Sequence, residues 1–230
     1  MMVDGQEQTF RRFYEEQIDQ QFADPFLSHL LTLTDVETEG RRVQAATAQE
    51  IGRLLDGLAG FSRDDHNCRL LLVYCLYWWS AFARGYIFEV TIHRDLTASG
   101  IQFVAHHLTN RSERLAPYDL LLLDLRGDIK YTTYFLTAER LAQLRSDFFI
   151  TRWYLRESRG WLRAAILREK AWRALSLSQD GSDRQSTTLD DVGRILPQAA
   201  AFAIDSMTLT ALGYDQWKQH VLLKQSAGEE

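Results

Sequence analysis

Residues 117–136 read PYDLLLLDLRGDIKYTTYFL, and the fold depends on how this stretch is divided. Leu120, Leu121, Leu122 and Leu123 form an unbroken apolar run between Asp119 and Asp124. So short a run, bounded by turn-forming residues, fits a strand covered on both faces. Arg126-Gly127 offers a tight turn, because glycine takes positive φ without steric cost. Residues 129–136 then resume with Ile129, Tyr131, Thr132, Thr133, Tyr134 and Phe135, types that favour strands. The expectation is a β-hairpin turning at Arg126-Gly127. In that register Asp119 faces Tyr134, and Asp128 faces Leu125 beside the turn. At about 3.3 Å per residue the two carboxylates would stand roughly 25–30 Å apart, too far to share a cation.

Working outward towards the amino terminus, residues 9–33 place Phe10, Phe13, Tyr14, Ile18 and Phe22 at helical spacing. Asp24-Pro25 should break and restart that helix. Residues 37–42 are polar and contain Gly40, so a loop is expected there. Residues 45–58 predict a second amphipathic helix with Ile51, Leu54, Leu55 and Leu58 buried and Gly60 at its end. Asp64 or Asp65 can cap the next helix. That helix opens with CRLLLVYCLYWWSAFAR over residues 68–84. Its uncharged run, residues 70–83, falls short of the ~20 residues of a membrane span, so it reads as a core helix. The adjacent Trp78 and Trp79 must point to different faces, and one of them is expected to meet another surface, such as a protein partner or a second copy.

Residues 87–92 alternate β-branched residues in the manner of a strand. Residues 102–108, QFVAHHL, read as a strand. His106 and His107 are neighbours on that strand, so they point to opposite faces and cannot both bind one ion. Residues 109–116 are a polar loop. Residues 137–145 predict a short helix capped by Thr137, and residues 148–155, FFITRWYL, a further strand.

Two short patterns now carry a family resemblance. Pro117-Tyr118-Asp119 followed by Asp128-Ile129-Lys130 resembles the signature of the PD-(D/E)XK nucleases, the restriction-endonuclease-like superfamily. Gly85, Phe88, Glu89, Ile92, Leu96 and Gly100 resemble the helix that often opens such folds, whose glutamate points at the site. This favours a helix over 85–100, against the strand propensity of 87–92. The order helix–strand–strand–strand–helix–strand over 86–155 is similar to the family's core. The resemblance covers about residues 85–155 and rests on short motifs.

The resemblance implies an α/β fold with a mixed four- to five-stranded sheet, flanking helices, and helical N- and C-terminal extensions. It divides the chain into a helical region 1–84, a core 85–175, and a linker with helices over 176–230. It implies Glu89, Asp119, Asp128 and Lys130 as catalytic residues and Asp119 as a metal ligand. Mg²⁺ would be the cofactor of an active enzyme, since hard carboxylate oxygens suit it and a lysine can face the attacked phosphate. The hairpin register set out above separates the acids. The leading expectation is therefore a nuclease-like protein that has lost catalysis and acts by binding. The alternatives are an active Mg²⁺-dependent DNA or RNA nuclease and an intracellular protein-interaction scaffold.

Net charge is −5 and pI about 5.7, so no overall basic field attracts nucleic acid. Residues 152–173 depart from this, with six arginines and one lysine against Glu157 and Glu169. Trp153, Tyr154, Trp161 and Trp172 are interleaved. Cations reach phosphates and aromatic rings stack on bases, so Arg152, Arg156, Arg159 and Arg163 are the candidate nucleic-acid contacts. A solvated helix face balancing the acidic remainder explains the same pattern. A turn near Gly160 and a helix over 161–175 are expected.

Residues 176–188 read as a linker. A helix over 188–204, interrupted near Pro197, and another over 207–223 should follow, with 226–230 frayed. These helices could pack on the core or serve a homodimer. Cys68 and Cys75, seven apart on one helix, are about 10 Å apart along its axis and cannot pair, which suits a reducing cytoplasm. The sequence contains no P-loop, no dinucleotide-binding glycine motif, no paired zinc-type cysteines and no Gly-x-Ser-x-Gly elbow.

Overall fold

The structure is a computed structural model that describes residues 2–3, 6–7, 9–114, 116–175 and 184–228. They fall into two compact units, Met1–Thr91 and Ile92–Glu230.

In the first unit β1 (Met2–Val3) pairs antiparallel with β2 (Gln6–Glu7). Helix α1 (Phe10–Tyr14) begins at Thr9, whose side chain accepts the Arg12 N–H. It runs through a π-helical stretch, Glu15–Ala23, into α2 (Asp24–Thr32). Pro25 sits in the first turn of α2, where no N–H is needed. Helix α3 (Val36–Asp56) starts two turns earlier than expected, so residues 37–42 are helix rather than loop. Asp35 caps it by accepting the Thr38 N–H at 2.9 Å, and Glu37 pairs with Arg41 one turn on. Gly40 is there for closeness: a Cβ would come within 2.9 Å of Leu30 and 3.0 Å of Ile87.

Helix α4 (His66–Ala98) opens at Asp65, whose Oδ1 accepts from the Asn67 and Cys68 N–H groups. Cys75, Trp79 and Ala83 are buried at helical spacing, and the Trp79 indole donates to the Gln44 carbonyl at 3.1 Å. Trp78 is 42% exposed, with Val73, Tyr74 and Tyr77 open beside it. The helix continues unbroken through 87–92, overriding the strand-like alternation there. Gly100, at φ +75°, ends it, while Ile101 N–H bonds back to Leu96 O. Among the described residues no helix is long and apolar enough to cross a membrane.

In the second unit come β3 (Val104–Ala105), α5 (Arg111–Arg114), β4 (Leu120–Leu122), β5 (Leu125–Lys130) and a 3₁₀ turn, Thr133–Phe135. Helix α6 (Ala138–Gln143) follows, capped by Thr137 as expected, then β6 (Phe148–Leu155) and β7 (Gly160–Arg168). The rest is α7 (Glu169–Ala174), β8 (Gln185–Ser186), α8 (Val192–Ile195), β9 (Ala200–Ile204), β10 (Met207–Gly213) and α9 (Tyr214–Ser226).

The strands form one mixed sheet in the order β3-β4-β5-β6-β7-β10-β9-β8. Pairing is parallel at β5–β6 and β8–β9 and antiparallel elsewhere. The α/β class with flanking helices is as expected, but the sheet has eight strands among the described residues. The difference arises after Gly160. Residues 161–168, 200–204 and 207–213 are strands where helices were expected, and the carboxyl-terminal region is largely built into the sheet. The first two of these segments carry paired alanines, which favour helix in isolation. Here Ala164, Ala165, Ala200 and Ala211 are fully buried, and the backbone is held by neighbours on each side. Residues 176–183 of the expected linker and the terminal 229–230 lie outside the described residues.

The decisive hairpin has a different register from the expected one. Leu120 pairs with Gly127, Leu121 with Arg126 and Leu122 with Leu125. The turn is therefore Leu123-Asp124, at φ +50° and +60°, the left-handed pair that a two-residue hairpin loop requires. Gly127 lies within β5, and the Phe148 ring occupies the space a Cβ would take. The glycine marked a close approach between strands, and the turn lies elsewhere. Strand β5 stops at Lys130, and residues 133–135 are a 3₁₀ turn rather than strand.

Candidate functional site

The corrected register brings Asp119 and Asp128 across from each other at the open end of the β4–β5 pair. Asp119 N–H bonds to Gly127 O at 2.9 Å, continuing the ladder past Leu120. The Asp119 carboxylate Oδ2 accepts the Ile129 N–H at 2.6 Å. Its carboxyl lies close enough to that of Asp128 for the Asp128 charge to raise its pKa. Lys130, two residues on and therefore on the same face, donates from Nζ to Asp128 Oδ1 at 2.5 Å. The separation of 25–30 Å expected from the sequence is overturned, because moving the turn by three residues moves the pairing partner of every residue in the strand.

The electrostatics follow from burial. The Asp128 side chain is 4% exposed and that of Lys130 is 36% exposed. Desolvation, and then the neighbouring Asp128 charge, push the Asp119 carboxyl up to about 7. Lys130 and the Ile129 N–H act in the opposite direction. Two carboxyls this close and this dry hold a proton between them or share a cation. Among the described residues no cluster of three or more His, Cys, Asp or Glu side chains assembles. A tetrahedral zinc centre wants three or four such ligands. Two hard carboxylates fit Mg²⁺, which keeps several waters and is held by one or two protein carboxylates.

No protein-family model, curated protein or solved structure matches the chain.

Glu89, the other acid suggested by the family resemblance, is buried on α4 within the first unit. Next to Lys130 is a groove of about 590 Å³, bordered by Tyr131, Tyr134, Glu139, Arg140 and Gln143. The Arg140 guanidinium lies over the Tyr134 ring at 4.0 Å. Arg152 sits between two rings, 4.8 Å from that of Tyr131 and 4.7 Å from that of Trp161. Its Nη1 also donates to the Tyr131 hydroxyl at 2.5 Å. Trp161 in turn touches Tyr154, ring to ring at 5.2 Å.

The basic segment separates into two populations once the chain is folded. Arg152 and Arg163 face each other across the β6–β7 ladder, and Arg159 stands at the hairpin tip with φ +53°. Arg156 makes a loose, exposed pair with Asp190 at 3.5 Å. The other cations are committed to the fold. Arg168 donates to the Leu141, Leu144 and Ser146 carbonyls, tying the end of α6 to β7. Lys170 pairs with Asp147 and Arg173 with Glu169. Trp153 and Trp172 are core residues, whereas Trp161 and Tyr154 point outward.

The strand expected over 102–108 is only Val104–Ala105, so His106 and His107 lie beyond its end. His106 packs on Tyr118 at 5.1 Å, and His107 uses its backbone N–H to reach Glu113. The sequence reading missed His93, which packs on Phe103 and, like His106, has a buried Nε2 with no hydrogen-bond partner. Burial, then the His106 charge, lowers His93 to about 4, so it is neutral. Tyr131, Tyr134 and Arg140 were also missed. Their only sequence signal was the aromatic run after Lys130, which was read as strand.

Proposed function

We propose that this protein is a divalent-cation-dependent phosphodiesterase acting on nucleic acid, built on a restriction-endonuclease-like core. One observation carries the reading: Asp119, Asp128 and Lys130 meet at one end of a strand pair. The surrounding order supports it. Helix α4, strands β3, β4 and β5, helix α6 and strand β6 follow in the family's sequence, with β5 and β6 parallel. The revised register removes the reason to regard the motif as inactive.

In this reading Asp119 and Asp128 hold the cation, and the Ile129 N–H fixes the orientation of the Asp119 carboxylate. Lys130 keeps its ammonium at the mouth of the site, where it can turn from Asp128 to a phosphate oxygen. A bound Mg²⁺ would supply charge for the phosphate and lower the pKa of a coordinated water.

The test is cleavage of labelled DNA and RNA, single-stranded and duplex, with Mg²⁺ or Mn²⁺. Asp119→Ala and Lys130→Ala should each reduce the rate by about 100-fold or more, as expected for groups that act on the reacting centre. Absence of cleavage of every one of these substrates would leave only a binding role. A protein-interaction role is the second reading, favoured by the open face of α4 at Val73, Tyr74, Tyr77 and Trp78. Light scattering that reports a dimer, lost on Tyr77→Ser plus Trp78→Ser, would support it.

A further inference from the structure

We infer that Thr151 is a positioning residue for Lys130: its buried hydroxyl is a second seat for the lysine ammonium, taken up when a divalent cation occupies the Asp119–Asp128 pair. This role rests on the cation-binding half of the proposed function. Strand register carries it. Lys130 of β5 and Thr151 of β6 are partners in the parallel ladder, so their side chains leave the sheet side by side on one face, about 4.8 Å apart. Thr151 is fully buried, and its Oγ1 has no hydrogen-bond partner among the described residues. The rest of its surroundings in the sheet are apolar. Phe149 and Trp153 flank it along β6, and Ala164 is its partner on β7. The Trp153 indole nitrogen is turned to α8, where a Cβ at Gly193 would stand 3.3 Å from it. Of these sheet neighbours, Lys130 is the side chain with donors to spare.

A hydroxyl in this position is costly. Valine has a similar shape, favours strands equally, and brings no polar atom for burial to strip of water. Threonine is explained as an acceptor for a group that arrives only in another state of the site, and Lys130 is such a group. Its Nζ donates to Asp128 Oδ1, an oxygen that a bound cation would also claim. The ammonium and the cation compete for that oxygen, and two positive charges so close repel. The lysine carries three donors on a flexible stem. With one of them on Thr151 Oγ1, the ammonium clears Asp128 and stays beside the site, and its other N–H groups keep a fixed direction for a phosphate oxygen. Without that seat the lysine remains on Asp128 and opposes cation binding.

The experiment is isothermal titration calorimetry of the full chain with Mn²⁺ alone, so that binding is read without nucleic acid or chemistry. Thr151→Val should weaken Mn²⁺ binding about tenfold, the effect of one hydrogen bond from a charged donor, whereas Thr151→Ser keeps the hydroxyl and should stay within about twofold of the parent. In a Lys130→Ala background Thr151→Val should change nothing, because the hydroxyl acts only through the lysine. In EDTA, Thr151→Val should raise Tm by about 2–4 °C, since it removes an unmatched buried hydroxyl from the folded state. That measurement also checks that the variant is folded. Equal Mn²⁺ affinity in the parent and Thr151→Val overturns the role of Thr151 and leaves the cation site standing. An equal loss in the Lys130→Ala background overturns it too, because the hydroxyl would then act without the lysine. A lower Tm in EDTA means that the hydroxyl already supports the resting fold, and it overturns the role as well. A parent protein that binds no Mn²⁺ removes the cation site itself, and this role with it.

Discussion

At the scale of the residue, Asp119 shows how a carboxylate acquires a function by being placed badly for itself. It is held by the Ile129 N–H against Asp128 in a poorly hydrated strand end, and its proton stays on to about pH 7 instead of leaving near 3.8. Between those values the folded state binds more protons than the unfolded chain, so stability falls as pH rises from about 4 to 7. Asp119→Asn should flatten that decline and raise Tm at pH 8 by about 5 °C, read by calorimetry from pH 4 to 8. At pH 8 the parent protein, and not the variant, should regain stability with Mn²⁺ or Mg²⁺, because a cation bound by the folded state alone stabilises it. A pH-stability curve identical in the two proteins would contradict the buried pair.

At the scale of the element, the β4–β5 hairpin depends on two short choices. Leu123 and Asp124 adopt left-handed φ, which costs a leucine more than it costs asparagine or glycine. Leu123→Asn with Asp124→Gly should therefore stabilise the hairpin by about 1 kcal/mol. Gly127→Ala acts in the other direction, because its methyl meets the Phe148 ring. A loss of about 2–3 kcal/mol in urea unfolding is expected, the usual cost of overpacking. If Arg126-Gly127 were the turn, that second substitution would be felt much less. The helices show the opposite balance. Asp65, one of two candidates, and Thr137 were readable as caps, and each accepts a backbone N–H of its first turn. Capping is local chemistry that three or four consecutive residues complete among themselves.

At the scale of the whole molecule, the carboxyl-terminal third is structural. Strand β10 pairs with β7 from Leu209 to Gly213, and Val192, Phe202 and Leu209 share a core with Phe149, Trp153 and Ile166. A chain ended after Leu175 loses three strands and uncovers the edge of β7. Such a fragment should fail to unfold cooperatively and should aggregate, as judged by calorimetry and light scattering. A stable, monomeric 1–175 fragment would mean that β8, β9 and β10 are dispensable.

The order of residues determined much of the helices of the first unit, the first half of α4, the cap of α6 and the strand 148–155. In each, side-chain spacing and a neighbouring cap act within one or two turns. It also supplied the acids and the lysine, as types and as spacing. It left open which backbone faces which, because Gly127 satisfies a turn and a tight strand crossing equally well until Phe148 is known to be its neighbour. Residues 161–168, 200–204 and 207–213 read as helix, since small side chains carry little periodicity, and flanking strands turned them into sheet. The meeting of Asp119 with Asp128 belongs to the tertiary structure alone: moving the turn by three residues, which shifts each pairing partner by six, separates a dispersed pair of acids from a buried one.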